Sequence, residues 1–280
     1  PLPPQRIACH QICGYDRLSL WFDRTDLKLP KKELRKHCHE LIEHVGQMPM
    51  NLRWKYKLIV LQPASSFFTV LKEAVGREIS VVIAELEITS DFITRTAKDA
   101  AALCSRFLAA ARVPHQRQPV MSYENTFYYA RRTNGNGKRG KVFVVYADRA
   151  SKIASEHCGR PCLHVEYRIT GSSTLATLGI ASIDDLERFD HESFWCDRVR
   201  MYSLPSVTRL GQILFGQGHS RVSDEALRKR ARALRKAHTL NGNFVLQNAA
   251  RECPSLCRSL HSTSMSTWGN LQTIDRKDPK

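Results

Sequence analysis

Three segments of the chain combine acidic or phenolic side chains with strand-like alternation. In a β-strand, successive side chains point to opposite faces, so residues two apart share a face. Glu85 and Glu87 therefore share a face of the segment over residues 78–88, and His164 and Glu166 share a face of the segment over residues 162–170. Tyr146 ends the apolar run GKVFVVY on the face of Val142 and Val144.

These side chains could build a site for phosphate chemistry if the three segments are neighbouring strands. Carboxylate oxygens suit Mg²⁺ or Mn²⁺, and such an ion can hold and polarise a phosphate. A tyrosine hydroxyl beside an ion or a base becomes a nucleophile. The pattern predicts a metal site of Glu85 or Glu87 with Glu166 and His164, and Tyr146 as the group that attacks.

A basic, glycine-rich turn, TNGNGKRG, precedes the Tyr146 strand. Asn and Gly tolerate the backbone conformations of tight hairpin turns, so residues 125–132 and 140–148 are predicted to pair as antiparallel strands. The basic side chains around this turn are predicted to contact a DNA backbone. They are Arg131, Arg132, Lys138, Arg139 and Lys141.

The charge of the whole chain also favours a polyanionic partner. The 280 residues contain 43 Lys and Arg against 27 Asp and Glu, a net charge of +16. The excess is concentrated near residues 198–258, and residues 223–238 are predicted to form a basic helix that binds DNA. Its DNA-contacting residues are predicted to be Arg228, Lys229, Arg232 and Arg235.

The remaining pattern interleaves strands and helices. Strands are predicted over residues 17–23, 53–63, 78–88 and 162–170, and helices over 30–45, 64–76 and 90–113. Because the hairpin requires antiparallel pairing, we predict an α+β fold with a central, mostly antiparallel sheet, helices packed on it and two loosely similar halves. We divide the chain into a catalytic domain (residues 1–200), a basic helical DNA-binding region (201–258) and a poorly ordered tail (259–280).

The strand segments resemble the rolling-circle replication initiators of the plasmid Rep trans type and their filamentous-phage relatives. The resemblance lies in TFYYA (residues 126–130), KVFVVYAD (141–148) and HVEYR (164–168). It implies that Tyr146 is the nucleophile and Glu166 a metal-site residue, with Glu85 or Glu87 as a second acidic ligand. The chain departs from the family pattern where His164 replaces an arginine, so His164 is included among the predicted ligands.

The resemblance implies an enzyme that nicks and rejoins one DNA strand at an origin, through a 5′-phosphotyrosine link and with Mg²⁺ or Mn²⁺. The expected partners are origin DNA with an extruded single strand, a host helicase and polymerase, and a second copy of the chain. The expected location is the cytoplasm of a bacterial host, with no membrane contact. Two alternatives stay open: a non-catalytic nucleic-acid-binding protein in which Tyr128, Tyr129 and Tyr146 stack on bases, and a metal-dependent nuclease that uses water.

Overall fold

The fold is described by a computed structural model for eight stretches of the chain. They are residues 8–48, 51–76, 78–113, 121–129, 140–153, 156–202, 262–264 and 271–273. The strands are β1 (Ala8–Phe22), β2 (Glu40–Val45), β3 (Tyr56–Leu61), β4 (Val81–Thr94), β5 (Ala111–Arg112), β6 (Met121–Tyr123), β7 (Thr126–Tyr128), β8 (Gly140–Tyr146), β9 (Cys162–Thr170), β10 (Arg200–Tyr202), β11 (Ser262–Ser264) and β12 (Leu271–Thr273). The helices are α1 (Lys31–Leu34), α2 (Ser65–Val75), α3 (Ala97–Ala110), α4 (Ser172–Ala176), α5 (Ile183–Glu187) and α6 (His191–Arg198).

A single large sheet organises these elements in the order β2-β3-β1-β4-β9-β8-β7-β6. Every pairing along this path is antiparallel, whereas β12 joins β1 in parallel. A small separate sheet has the order β11-β10-β5. The predicted α+β class, with a mostly antiparallel sheet and helices packed on it, is confirmed. The predicted hairpin is confirmed as well, because β7 pairs with β8 and Tyr128 lies opposite Val144.

The helices bury one face of the sheet. Leu86 and Ile88 of β4 and Val165 of β9 are fully buried there. They pack in one cluster with Phe67 of α2 and Phe107 of α3. Burial of each such aliphatic or aromatic side chain stabilises the fold by about 1.5–3 kcal/mol. The opposite face of β4, β9 and β8 is thus left for polar groups.

The helix predicted over residues 30–45 is wrong. The chain forms only α1 and a 3-10 turn (Arg35–His37), then becomes extended at Cys38 and continues as β2. Leu34, Cys38 and Leu41 are all buried, at a spacing that also fits one helical face. The spacing of these apolar residues therefore fits a helix, but the segment from Glu40 to Val45 forms a strand because it pairs with β3.

The predicted start of the long helix at residue 90 is also wrong. β4 continues to Thr94, and α3 begins at Ala97, where the Thr96 hydroxyl accepts a hydrogen bond from the Asp99 amide at 3.1 Å. Ser90 and Asp91 resemble helix caps in sequence, but β4 pairs with both β1 and β9 at these residues. This correction brings Asp91 into the sheet.

The three-part division of the chain stays a prediction. The predicted helix over residues 223–238 lies outside the described residues. In the segment predicted as a tail, two short strands are described: β11 pairs with β10 and β12 pairs with β1. Among the described residues, none of the helices is long and apolar enough to cross a membrane.

Candidate active site

The face of the sheet opposite the helices carries a row of charged and polar side chains. Strand register sets the row, because Asp91 lies opposite His164, Thr89 opposite Glu166 and Glu87 opposite Arg168. On the other side of β9, Tyr146 of β8 lies opposite His164. The polar side chains of three adjacent strands therefore lie on one face, as the alternation predicts.

Tyr146 and Glu166 are in direct contact. The Tyr146 hydroxyl donates a hydrogen bond to Oε1 of Glu166. The other carboxylate oxygen accepts from Nε and Nη2 of Arg168, at 2.8 and 2.6 Å. Glu166 is only 1% exposed, so these bonds compensate a charge that would otherwise be costly to bury. A phenol, a carboxylate and an arginine that fixes the carboxylate thus form a continuous hydrogen-bonded chain.

This environment keeps the phenol protonated. Burial raises the pKa of Tyr146 well above its ordinary value, and the nearby negative charge of Glu166 raises it further. Oε1 of Glu87 lies 3.8 Å from Nε of Arg168. Burial raises the pKa of Glu87 to about 7, against the opposing effect of Arg168. This phenol would therefore lose its proton only to a nearby base, and the Glu166 carboxylate already accepts its hydrogen bond.

A second chain of contacts joins Asp91, His164 and Cys162. Nδ1 of His164 lies 2.8 Å from Oδ1 of Asp91, and Nε2 of His164 lies 3.1 Å from Sγ of Cys162. Ser151 donates a 2.6 Å hydrogen bond to Oδ2 of Asp91. Burial by itself lowers the pKa of His164, but the Asp91 carboxylate outweighs it and raises this pKa to about 11. The two chains of contacts meet where the His164 and Tyr146 rings stack, with centroids 4.5 Å apart.

A small pocket opens over the junction of these two chains. Its lining residues are Asp16, Thr89, Asp91, Tyr146, Lys152, Ile153, His164 and Glu166. Asp16 belongs to β1 at an irregularity in the pairing with β4, and its Oδ1 accepts a 3.1 Å hydrogen bond from Nε2 of Gln62. Tyr146 and Glu166 are thus buried, but they line a small pocket whose lining residues are mostly polar.

The donors around the pocket fit a divalent cation. Asp91, Cys162 and His164 each offer one ligand atom, and these atoms lie within 4.8 Å of one another. Asp16 and Glu166 bring further carboxylates to the same pocket. Carboxylates with an imidazole suit Mg²⁺ or Mn²⁺, whereas a thiolate favours a softer ion such as Zn²⁺. Among the described residues no other group of three such ligands occurs, and no described cysteine forms a disulfide.

The predicted metal ligands are placed unequally. His164 and Glu166 line the pocket, whereas Glu87 is not among its lining residues and forms an ion pair with Arg168 at 3.8 Å. Glu85 lies farther along β4, where it accepts a 3.2 Å hydrogen bond from Ser19 and lies 4.0 Å from Lys57.

Three charged residues of the pocket, Asp16, Asp91 and Lys152, are absent from the sequence-based prediction. The alternation Glu85, Glu87, Thr89, Asp91 could have identified Asp91 if the strand had been extended past residue 88. Asp16 depends on a strand irregularity and Lys152 on a loop, and neither carries a periodic signal.

The predicted DNA-binding residues mostly lie outside the described part of the chain. These are Arg131, Arg132, Lys138, Arg139, Arg228, Lys229, Arg232 and Arg235. Lys141 is described and is exposed near the start of β8. At about 3.4 Å per residue, it lies roughly 17 Å along the strand from Tyr146.

Comparisons with known proteins show a remote likeness in fold. No protein-family model matches the chain, and no curated protein matches it. A solved structure of a rolling circle replication initiator protein from Geobacillus stearothermophilus resembles it with a TM-score of 0.40 and 9% sequence identity. The match covers 70% of this chain and 88% of that chain.

Proposed function

We propose that this protein is a nicking and joining enzyme that starts rolling-circle replication of a plasmid or filamentous phage. The observation that carries the proposal is the contact between the Tyr146 hydroxyl and Glu166 at the base of a pocket that Asp91 and His164 also line. The motifs around Tyr146 and Glu166, which resemble those of rolling-circle initiators, support the same assignment.

Tyr146 is the proposed nucleophile and Glu166 its base. A nucleophile beside a base that a third group orients is the usual arrangement for covalent catalysis, and Arg168 is that third group. The Tyr146 oxygen attacks phosphorus while its proton passes to Glu166. The bond from phosphorus to the 3′ oxygen breaks, and that oxygen takes a proton from water. The products are a 5′-phosphotyrosine link and a free 3′-hydroxyl.

Asp91 and His164 are the residues that would hold a Mg²⁺ or Mn²⁺ ion, with Asp16 and Glu166 facing the same pocket. Because only a neutral imidazole can be a ligand, an ion bound there would have to displace the proton between His164 and Asp91. When bound, such an ion supplies positive charge that stabilises the phosphate as negative charge builds on it. Glu85 and Glu87 remain proposed ligands, with Glu87 the nearer through its contact with Arg168.

The free 3′-hydroxyl would prime a polymerase, and the reverse attack of a 3′-hydroxyl on the phosphotyrosine would reseal the displaced strand. The partners proposed for this cycle are origin DNA, a host helicase and polymerase, and a second copy of the chain. If a second tyrosine takes part, Tyr128 is better placed than Tyr129. Tyr128 lies opposite Val144 on the Tyr146 face, whereas Tyr129 is 2% exposed and packs on Phe143 in the core.

The first test is covalent attachment to labelled single-stranded DNA. We expect the protein with Mn²⁺ or Mg²⁺ to form an adduct that survives a denaturing gel, and Tyr146→Phe to form none. Tyr123→Phe is the matched control, because it makes the same chemical change at a tyrosine that is 51% exposed in β6. We expect this control to keep the adduct.

The outcome also separates the alternatives. Cleavage without an adduct would indicate attack by water and overturn the role of Tyr146. Binding without cleavage would favour the non-catalytic protein. The geometry weighs against base stacking by Tyr146, because its ring is already stacked on His164 and is 8% exposed.

A further inference from the structure

We propose that Arg149 and Lys152 form the site that binds the backbone phosphate on which Tyr146 acts. This inference rests on the proposed function and adds to it the two cations that contact the non-bridging oxygens of the phosphodiester. Both residues lie in the loop that follows β8, outside the basic hairpin turn that the sequence favours for DNA contact.

The two cations border the nucleophile. Cζ of Arg149 lies 5.5 Å from the centroid of the Tyr146 ring. Lys152 lines the same pocket as Tyr146. Both side chains are exposed, so a DNA strand that approaches the pocket from solvent meets them first.

The loop that carries them is fixed to the sheet. The Ser151 amide donates to the Arg160 carbonyl at 2.9 Å, and the Gly159 amide donates to the Ser151 carbonyl at 2.8 Å. The Ser151 hydroxyl anchors the same residue to Asp91 at 2.6 Å. Arg149 and Lys152 therefore project from a backbone that is held against the site. Little ordering of the backbone is needed when DNA binds.

Charge balance shows why these cations are needed. Three carboxylates, those of Asp16, Asp91 and Glu166, line the pocket and would repel a phosphodiester. The buried cations of the site are already engaged, because Arg168 binds Glu166 and His164 binds Asp91.

Arg149 and Lys152 are the cations of the site that stay available for DNA. Within the described ranges, no ion pair is found for either of them. Arginine and lysine are the side chains that most often contact DNA phosphates.

The test measures DNA binding without chemistry. In a Tyr146→Phe background, binding of a short thymidylate oligonucleotide is followed by fluorescence anisotropy over a series of salt concentrations. Each lost phosphate contact lowers the slope of log K against log salt by about 0.7 on a single strand. We expect this loss for R149A and for K152A, and about twice the loss for the double variant. We expect R149K and K152R to keep most of the slope.

Lys32→Ala is the matched control, because Lys32 is an exposed lysine of α1, an element that packs against α2. An oligonucleotide with an uncharged methylphosphonate backbone should not distinguish the variants. Slopes equal to that of the Lys32→Ala protein, with melting temperatures unchanged, would overturn the inference. Because this binding assay involves no covalent step, failure of the wild-type protein to form an adduct in the gel assay would count against the proposed function alone.

Discussion

The two buried carboxylates of the site, those of Glu166 and Asp91, are each paired with neighbouring side chains. Glu166 is fully engaged by Tyr146 and Arg168, and Asp91 by His164 and Ser151. Each buried carboxylate therefore has partners on both oxygens, as a buried charge requires. The same carboxylates are the groups that can exchange those partners for a cation.

Asp91 is expected to matter more than Glu87. Asp91→Asn should lower the rate of adduct formation by about 100-fold, because the amide leaves His164 without its buried anionic partner and removes a cation ligand. Glu87→Gln should cost less than about 10-fold, because Glu87 does not line the pocket and its contact with Arg168 is 3.8 Å long.

Single-turnover rates of adduct formation and Mn²⁺ affinities from calorimetry are measured for both variants and the wild type. Melting temperatures equal to that of the wild type show that the variants are folded. A larger loss in Glu87→Gln than in Asp91→Asn would place the cation nearer to the middle of β4.

Cys162 is expected to affect which ion binds. Its Sγ lies 3.1 Å from Nε2 of His164, and thiolate ligands favour softer ions such as Zn²⁺. Co²⁺, used as a visible probe, should give a sulfur-to-metal charge-transfer band in the wild type, and Cys162→Ser should lack this band. Cys104→Ser is a matched control, because Cys104 is a buried thiol in the core cluster. An unchanged band in Cys162→Ser would show that the thiol does not bind the ion.

At the scale of elements, sequence reasoning succeeded where periodicity and pairing agreed. The segment predicted over residues 162–170 matched β9 residue for residue, and its alternation placed His164 and Glu166 on one face. Pairing of β8 with β9 brings Tyr146 opposite His164 on that face. The prediction from sequence failed where a local pattern, such as a helix cap, competed with strand pairing to distant segments. Ser90 resembled a helix cap but lies in a strand paired on both sides, and nothing local announces those partners. Pairing over long sequence separations is the information that one segment cannot contain.

The short helix α6 is expected to make stability depend on pH. His191 is 7% exposed between Tyr15 and Phe189, and burial lowers its pKa to about 4 despite the opposing charge of Asp190. The unfolded chain therefore binds this proton more readily than the folded one. The contribution of neutral His191 to the free energy of unfolding is fully present above about pH 6.5. It decreases by on the order of 3 kcal/mol as pH falls towards 4.

His191→Phe should remove this part of the acid sensitivity, because phenylalanine keeps the aromatic contacts and cannot take up a proton. Urea unfolding between pH 4 and 7 measures it, and the exposed His39→Phe provides the same substitution without burial. Parallel curves for wild type and His191→Phe over this range would contradict the prediction.

For the whole molecule, the net charge of +16 and the acidic pocket point to separate tasks. The predicted basic helix over residues 223–238 is proposed to bind the duplex origin, while the pocket acts on one strand.

Replacing Arg228, Lys229, Arg232 and Arg235 by alanine should weaken duplex binding and reduce its salt slope by up to about 3.6, at about 0.9 per phosphate contact. Adduct formation with a single-stranded oligonucleotide should stay within about threefold of wild type, because the residues that contact the reacting phosphate lie on β8, β9 and the loop after β8. Gel-shift titration of an origin duplex and the denaturing gel measure the two activities on the same preparations. Equal loss of both activities would mean that the basic segment serves the reaction itself, and the division into a catalytic domain and a DNA-binding region would have to be abandoned.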